Sequence, residues 1–240
     1  MDLGIAGRTA LVTGASSGLG LACAQALAAD GVRVALAARS HERLATAAQA
    51  VDGEPVTITT DLSRPEQIDD LVSAALDALG DIDILIANAG GPPPGNFAST
   101  GLDAYPDALQ LNLLSTVALC KALIPPMQRR GWGRVVAITS VSVRQPIDQL
   151  ILSTTARAGL TAFLKTTATE VAPDGVTVNT VQPGLHATAR LGQLYDDLDT
   201  IFVAVQLYSY PGQYLKESPT LHRIAETLVK LEEDVLGEGS

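Results

Sequence analysis

The sequence predicts an α/β protein with a doubly wound parallel sheet and helices on both faces. Six short apolar runs, mostly rich in β-branched residues, alternate with longer helical segments. The runs are almost continuously hydrophobic, which is typical of parallel strands covered on both faces. A glycine-rich turn separates the first run from an Ala-rich helical stretch. Strand–helix alternation of this kind favours right-handed crossovers within one open sheet.

The individual elements follow from where the apolar runs stop and the helical segments begin. The predicted strands are residues 9–13, 33–37, 56–60, 83–87, 134–139 and 176–181. The predicted helices are residues 19–29, 41–51, 65–79, 105–130 and 153–171. Pro65 stands near the start of the third helix, where its missing N–H costs little.

Length, composition and charge narrow the class of protein. The 240 residues suffice for one sizeable core, and 47% hydrophobic with 18% charged residues is a globular composition. A net charge of −10 argues against general nucleic-acid affinity, but it allows a local basic pocket for a phosphorylated cofactor. The sequence has no run of eighteen apolar residues and no signal-peptide pattern at its N-terminus, so we expect no membrane span.

The two cysteines, Cys23 and Cys120, lie far apart in helical contexts. Buried small hydrophobic residues are a better interpretation of this spacing than a disulfide or a metal pair. We therefore expect no metal site. A reducing cytosol fits this usage, and a cytoplasmic location is expected.

The composition changes near residue 190. Residues 1–190 contain 33 alanines and residues 191–240 contain two, while four of the five tyrosines lie in the latter segment. We expect a Rossmann-like dinucleotide-binding domain over 1–190 and a divergent C-terminal segment over 191–240. Within that segment, residues 201–207 form a candidate strand and residues 221–236 an amphipathic helix. A divergent substrate lobe, a tail of different ancestry and a rearranged or engineered chain all remain open.

The turn after the first strand has the spacing G-x₃-G-x-G. Glycine permits positive φ and lets the backbone approach a pyrophosphate, while the following helix N-terminus presents free N–H groups. The predicted phosphate cradle consists of Gly14, Ser16, Ser17, Gly18, Leu19 and Gly20.

This turn and several later positions resemble the short-chain dehydrogenase/reductase family. The matching positions are Asn88-Ala89-Gly90, Asn112, Ser140 and, downstream, Val176-Thr177-Val178-Asn179. The resemblance covers roughly residues 5–190. In that family a Tyr stands thirteen residues after the serine, with a Lys four residues further on. This chain has Ser153 and Arg157 there, and the flanking residues fix the register.

The resemblance implies how these residues would act. In the family the Asn holds a water and the helix geometry, and the Ser positions the carbonyl. The Tyr gives the proton, and the Lys binds the ribose and lowers the Tyr pKa. Ser153 is shorter than a Tyr and a far weaker acid, whereas Arg157 keeps a positive charge that can reach ribose hydroxyls. The expected catalytic set is Asn112, Ser140, Ser153 and Arg157, and Arg157 is also expected to bind the cofactor.

The end of the second strand predicts which cofactor is preferred. Arg39 stands there and no acid occupies Ala37 or Ala38. A carboxylate normally holds the ribose 2′-hydroxyl of NAD, whereas an Arg favours a 2′-phosphate, so NADP(H) is preferred over NAD(H).

The resemblance assigns the remaining cofactor contacts to three segments. Asp61 and Leu62 are expected at the adenine, and the motif Asn88-Ala89-Gly90 at the ribose. The nicotinamide contacts are expected to be Pro183, Gly184 and Thr188. His186 lies among them, and we interpret it as a loop residue rather than a proton donor.

The leading hypothesis is an NADP(H)-dependent oxidoreductase acting on an unknown small-molecule carbonyl or alcohol, with an impaired or relocated proton donor. The alternative is a non-catalytic NADP(H)-binding protein, either a sensor or a partner subunit. The apolar segments 105–130 and 153–171, which form a subunit interface in the resembling family, predict a homo-dimer or homo-tetramer.

Overall fold

The computed structural model describes residues 3–184 and the strand residues 205–208. Seven strands form one sheet in the order β3-β2-β1-β4-β5-β6-β7. The strands are β1 Thr9–Thr13, β2 Arg33–Ala38, β3 Val56–Thr59, β4 Ile84–Ala87, β5 Gly133–Ile138, β6 Val176–Pro183 and β7 Val205–Tyr208. The α-helices are α1 Gly18–Ala29, α2 His41–Ala48, α3 Glu66–Leu79, α4 Tyr105–Leu109, α5 Ser115–Arg130 and α6 Ile151–Val171.

The first six strands run parallel, which confirms the predicted doubly wound sheet. The chain proceeds outward from β1 to β3 and then returns to the centre, where β4 pairs with β1. β7 differs from the other strands because it pairs antiparallel with β6. Of the candidate strand 201–207, only residues 205–207 are described, and they lie in β7. The predicted helix 221–236 lies outside the described residues.

The sheet is buried on both faces, as its nearly continuous apolar strands require. Successive strand side chains point to opposite faces, so Leu11 joins a core with α3, α5 and α6. Its neighbours Ala10 and Val12 join a second core that includes residues of α1. The central strands are therefore apolar on both sides and show no alternation, whereas the edge strand β3 alternates between half-buried Val56 and Ile58 and exposed Thr57 and Thr59.

Most predicted bounds lie within two residues of the observed ones. The larger difference is in α2, which ends at Ala48 rather than at residue 51. Residues 49–51 continue as turns whose N–H groups bond to carbonyls three residues earlier. The last helix begins at Ile151, two residues before the predicted start. Both differences fall at helix ends, where local capping rather than periodicity decides.

The long segment predicted as one helix, residues 105–130, is divided in the structure. A π-helical turn, Gln110–Leu114, separates α4 from α5. The helical run Leu102–Arg130 is long and apolar enough to cross a membrane by length and composition alone, and 44% of its most apolar window is buried. Core helices of soluble proteins share these features, so the run is weak evidence for a span.

Both cysteines are buried and free of disulfides, as their sequence contexts predict. Burial raises the pKa of the Cys23 and Cys120 thiols to about 12. The thiolate is the reactive form, so these side chains act as small hydrophobic residues.

Candidate active site

The candidate site lies where the chain reverses its direction of travel across the sheet. The loops after β1 and β4 leave from neighbouring strands at their carboxyl ends. Parallel α/β sheets bind ligands in the crevice at such a point, because the two loops diverge there. The predicted site residues at the carboxyl ends of β1 to β6 face this same edge of the sheet.

The glycine-rich loop has the backbone that its spacing predicts. Gly14 and Gly18 have φ of +59° and +55°, a conformation that side chains beyond glycine rarely adopt. A Cβ on Gly14 would stand 2.7 Å from Nδ2 of Asn88, so that position admits no side chain. The loop is thus narrow and presents bare backbone at the start of α1. These features fit the pyrophosphate of a dinucleotide, with Ser16, Ser17 and Leu19 completing the cradle.

Asn88 fastens this loop to the end of β4. Its side-chain Nδ2 donates to the carbonyl oxygen of Gly14 at 3.2 Å. Its backbone N–H donates to Oγ1 of Thr13 at 2.9 Å, and that hydroxyl donates to the carbonyl of Asn88 at 2.7 Å. Three hydrogen bonds therefore hold the two loops in a fixed relation.

Two arginines stand at the predicted adenosine end, although the sequence analysis identified only one. Arg39 is exposed just after β2. Arg43, in the first turn of α2, donates from Nη2 to Oγ of Ser17 at 2.9 Å. Ser40 could have indicated the position of Arg43 from the sequence. It caps α2, and its Oγ accepts the Arg43 N–H at 3.2 Å. A cap three residues earlier places Arg43 in the first turn, beside the strand ends.

Asp61, expected at the adenine, is held as a carboxylate. Partial burial would raise its pKa, but two hydrogen bonds from Ser63 and the charges of Arg39 and Arg64 outweigh that effect. The pKa of Asp61 therefore lies below its ordinary value. Leu62 beside it is buried and forms part of the core.

Asn112 lies inside the π-helical turn and is only 1% exposed. Turns of this kind are rare in proteins as a whole, but many of those known lie at functional sites, where the extra residue redirects a side chain. Nδ2 of Asn112 donates to the carbonyl of Gly90 at 2.8 Å. Its Oδ1 is buried without a hydrogen-bond partner among the described residues. A buried acceptor requires a donor, so this atom fits the water-holding role that the resemblance implies.

Ser140 follows β5 and caps a short 3₁₀ turn, Val141–Val143. Its Oγ accepts the backbone N–H of Ser142 at 3.1 Å. A hydroxyl that accepts in this way still carries its own hydrogen for donation. Ser140 can therefore donate a hydrogen bond to a carbonyl oxygen in the cleft.

Ser153 and Arg157 lie one turn apart on α6, and both are buried. Nε of Arg157 donates to Oγ of Ser153 at 3.2 Å. The same guanidinium donates to the carbonyl of Ile138 at 2.8 Å and to the carbonyl of Ala89 at 3.1 Å. It therefore ties α6 to the ends of β4 and β5. The sequence did not indicate that the Arg157 guanidinium turns toward these main-chain carbonyls; it suggested only a contact with the cofactor ribose.

The last predicted cofactor segment is described in part. Pro183 ends β6 in a buried position, and Gly184 beside it is half-buried. Thr188 and His186 lie outside the described residues. Among residues 3–184, no group of three His, Cys, Asp or Glu side chains is placed to hold a metal ion.

Comparison with known proteins identifies relatives of this chain. The family model for short chain dehydrogenases matches residues 8–199. Dehydrogenase/reductase SDR family member 4 of Sus scrofa is 32% identical over 90% of this chain and 75% of its own length. The 3-oxoacyl-[acyl-carrier-protein] reductase of Synechocystis is 33% identical over 86% of this chain and 85% of its own length.

Solved structures share the fold. L-sorbose reductase from Gluconobacter frateurii, in complex with NADPH and L-sorbose, superposes with a TM-score of 0.75 at 33% identity. The match covers 79% of this chain and 73% of that one. Actinorhodin polyketide ketoreductase with NADPH gives a TM-score of 0.75 at 32% identity, over 81% and 78% of the two chains.

Replacing Arg157 with Ala is expected to destabilise the fold strongly. The change removes a buried charged donor from two main-chain carbonyls and from Ser153, at about 1–3 kcal/mol each, and part of this loss is offset because a guanidinium no longer has to be buried. We expect the free energy of unfolding in urea to fall by about 2–4 kcal/mol. The exposed Arg129→Ala is the matched control and should change stability by less than about 0.5 kcal/mol. If the two variants unfold with the same free energy, the Arg157 hydrogen bonds do not stabilise the fold.

Proposed function

The chain belongs to the short-chain dehydrogenase/reductase family, and on that premise we propose that it is an NADP(H)-dependent oxidoreductase with an altered proton donor. Its substrate would be a small-molecule carbonyl or alcohol. The observation that carries the proposal is the bond from Arg157 to Ser153, beside an intact phosphate cradle. The residues of the predicted phosphate cradle match the family, while Ser153 stands where the family has its proton-donating Tyr.

The preference for NADP(H) is supported by charge at the adenosine end. Arg39 and Arg43 both stand near the ends of β1 and β2, where Ala37 and Ala38 supply no carboxylate. A dianionic 2′-phosphate gains from two guanidinium groups, whereas a neutral 2′-hydroxyl gains much less from them. Two solved relatives are complexes with NADPH, which supports a nicotinamide cofactor, and the two arginines carry the preference itself.

The side chains of this site can polarise the substrate oxygen by hydrogen bonds more readily than they can give it a proton. A bound nicotinamide would supply the hydride, and a donor must then neutralise the growing negative charge on the substrate oxygen. Ser140 can donate to that oxygen, because its Oγ accepts the Ser142 N–H through a lone pair and its own hydrogen stays available. Ser153 is polarised by the Arg157 cation in the same way.

The proton itself must reach the alkoxide through water. A serine hydroxyl is a much weaker acid than a phenol, and Arg157 is a fixed cation that does not release a proton. A water molecule bound between Ser140, Ser153 and Arg157 would therefore pass the proton on, at a reduced rate. We expect slow carbonyl reduction.

A second candidate function is a non-catalytic NADP(H)-binding protein. The inward direction of Arg157 favours it, because three of its donors already serve Ser153, Ile138 and Ala89. The retained Asn112 and Ser140 favour the enzyme. We propose a cytoplasmic location in either case, on the same grounds of cysteine usage.

Wild-type protein is expected to bind NADPH more tightly than NADH. Arg39→Asp should reverse the order, because its carboxylate repels the 2′-phosphate and accepts a 2′-hydroxyl. Titration of both cofactors by fluorescence measures the two affinities. Equal affinities in the wild type would contradict the preference.

The double variant Ser153→Tyr with Arg157→Lys is expected to reduce carbonyls faster than wild type. General acid catalysis is worth about 10²–10⁴-fold, and the double change installs the donor pair of the family. Turnover of a carbonyl panel with NADPH is the measurement. Ser140→Ala within the double variant should remove the gain.

Two results would separate the candidate functions. If the double variant turns over a carbonyl and the wild type does not, the wild type lacks activity because its proton donor has changed. If both proteins bind NADPH and neither reduces any carbonyl, the non-catalytic function gains.

A homo-dimer or homo-tetramer is expected in solution. Leu114 is half-exposed just before α5, and α6 exposes the small residues Ala158, Gly159 and Ala162, which allow a neighbouring helix to approach closely. Closed assemblies bury such faces symmetrically. Light scattering at micromolar concentration measures the mass, and Leu114→Glu should shift it toward the monomer. A monomeric wild type would contradict the prediction.

A further inference from the structure

The corner of the fold where β5 and β6 end and α6 begins holds buried polar groups that the proposed reaction does not use. Ser142, Thr154, Thr180 and Gln182 each have a side-chain polar atom that is shielded from solvent and has no hydrogen-bond partner among the described residues. For Gln182 this holds for both the amide oxygen and the amide nitrogen. We call these four residues the polar corner.

Gln182 and Thr180 face the helix α6 from the strand β6. Side chains alternate along a strand, so both share a face with Val178, which packs in one core with Leu160 of α6. Thr180 is 1% exposed and Gln182 is 0% exposed. Both side chains therefore lie between the sheet and the helix rather than at the rim of the cleft.

The first turn of α6 lies beside the end of β6. Residues 172–175 alone join the end of the helix to the start of the strand, so the helix runs back along the strand. The 21 residues of the helix and the 8 residues of the strand both span roughly 25–30 Å. The first helical turn, which carries Ser153 and Thr154, is therefore level with Gln182. Ser142 completes the polar corner from the turn after β5, which also packs against α6.

The unpaired groups of the polar corner require a partner. A buried donor or acceptor without one costs about 1–3 kcal/mol, so several in one place call for a bound molecule. All four side chains are uncharged, and each hydroxyl or amide can both donate and accept a hydrogen bond. Water matches such a set, because an internal water makes about three hydrogen bonds to buried polar groups. An ion would find no opposite charge on these four side chains.

We propose that the polar corner holds internal water behind Ser153, and that this water resupplies the proton which the altered centre delivers to the substrate. The inference rests on the proposed oxidoreductase function. Gln182, Thr180 and Ser142 are positioning residues in this role, because they hold the water and do not touch the substrate. The water is distinct from the one assigned to Asn112, whose side chain bonds to the loop after β4 on the other side of β5.

The position behind Ser153 matters because a bound cofactor and substrate exclude solvent from the cleft. The carbonyl carbon gains the hydride of the reduced nicotinamide, and the carbonyl oxygen takes a proton from the water between Ser140, Ser153 and Arg157. That water takes the Ser153 hydroxyl proton, and Ser153 takes one from the corner water in the same step. The corner water regains its proton from solvent, so each turnover consumes one hydride and one solvent proton. Oγ of Ser153 can accept the corner water because Arg157 occupies only one of its lone pairs.

The test compares variants of the 240-residue chain that each remove one group from the polar corner. Gln182→Met removes the amide at similar volume, and Thr180→Val replaces one buried hydroxyl with a methyl group. Thr177→Val is the matched control, because its hydroxyl on the same strand is also buried without a described partner but lies at the amino end. Melting curves verify folding, crystal structures locate the water, and turnover of a carbonyl panel with NADPH is measured in H₂O and in D₂O.

The wild-type crystal structure should show a water hydrogen-bonded to the Gln182 amide, and Gln182→Met should remove it. Gln182→Met should lower kcat about 10- to 100-fold, as part of the roughly 10²–10⁴-fold that proton transfer contributes, and Thr180→Val should lower it less. KM should stay within about twofold, because the polar corner does not bind substrate. The ratio of kcat in H₂O to kcat in D₂O should rise in both variants, because proton delivery becomes slower relative to hydride transfer. Thr177→Val should change none of these values.

Four results would overturn the inference. A wild-type crystal structure in which the Gln182 amide bonds directly to protein groups would exclude the water. If Gln182→Met and Thr180→Val reduce carbonyls as fast as the wild type, the water does not supply the proton, and the proposed function stands. A lower kcat with an unchanged isotope ratio would make the role of these residues structural. A wild type that binds NADPH and reduces no carbonyl overturns the proposed function and, with it, the proton supply.

Discussion

The segment 88–90 is the constraint on which the candidate site depends. Its three residues each make a different tie: the Asn88 side chain holds the carbonyl of Gly14, the Ala89 carbonyl accepts from Arg157, and the Gly90 carbonyl accepts from Asn112. The glycine-rich loop, α6 and the π-helical turn therefore meet at one stretch of backbone at the end of a central strand. Displacing that stretch would move all three at once.

This arrangement explains how one half of the site can change while the other is kept. The glycine-rich loop needs Asn88 and a particular backbone, and neither depends on the chemistry of residue 153. Arg157 satisfies the carbonyls of Ile138 and Ala89, so the altered pair still fulfils a structural role. A buried guanidinium without such acceptors would carry a large desolvation cost.

Much of the fold was predictable, because periodicity and glycine spacing are local signals. Six parallel strands and the loop at Gly14 followed from them, and the retained Asn112 and Ser140 followed from resemblance. The direction of Arg157 did not follow, since it depends on carbonyls 19 and 68 residues away in the chain. The hydrogen bond from Arg43 to Ser17 was also missed, because Ser17 lies 26 residues earlier in the chain. The antiparallel direction of β7 likewise did not follow from local patterns, because it is a property of its pairing with β6.

The hydrogen bond between Arg157 and Ser153 also has an evolutionary consequence. A Lys at 157 alone has one ammonium in place of a planar fork and loses part of the contact to two strand ends. A Tyr at 153 alone must share its space with a guanidinium that those carbonyls hold in place. Each single step toward the usual pair is disfavoured before the second arrives. We therefore expect the two positions to be coupled, so that the stability effects of single substitutions at 153 and 157 do not add.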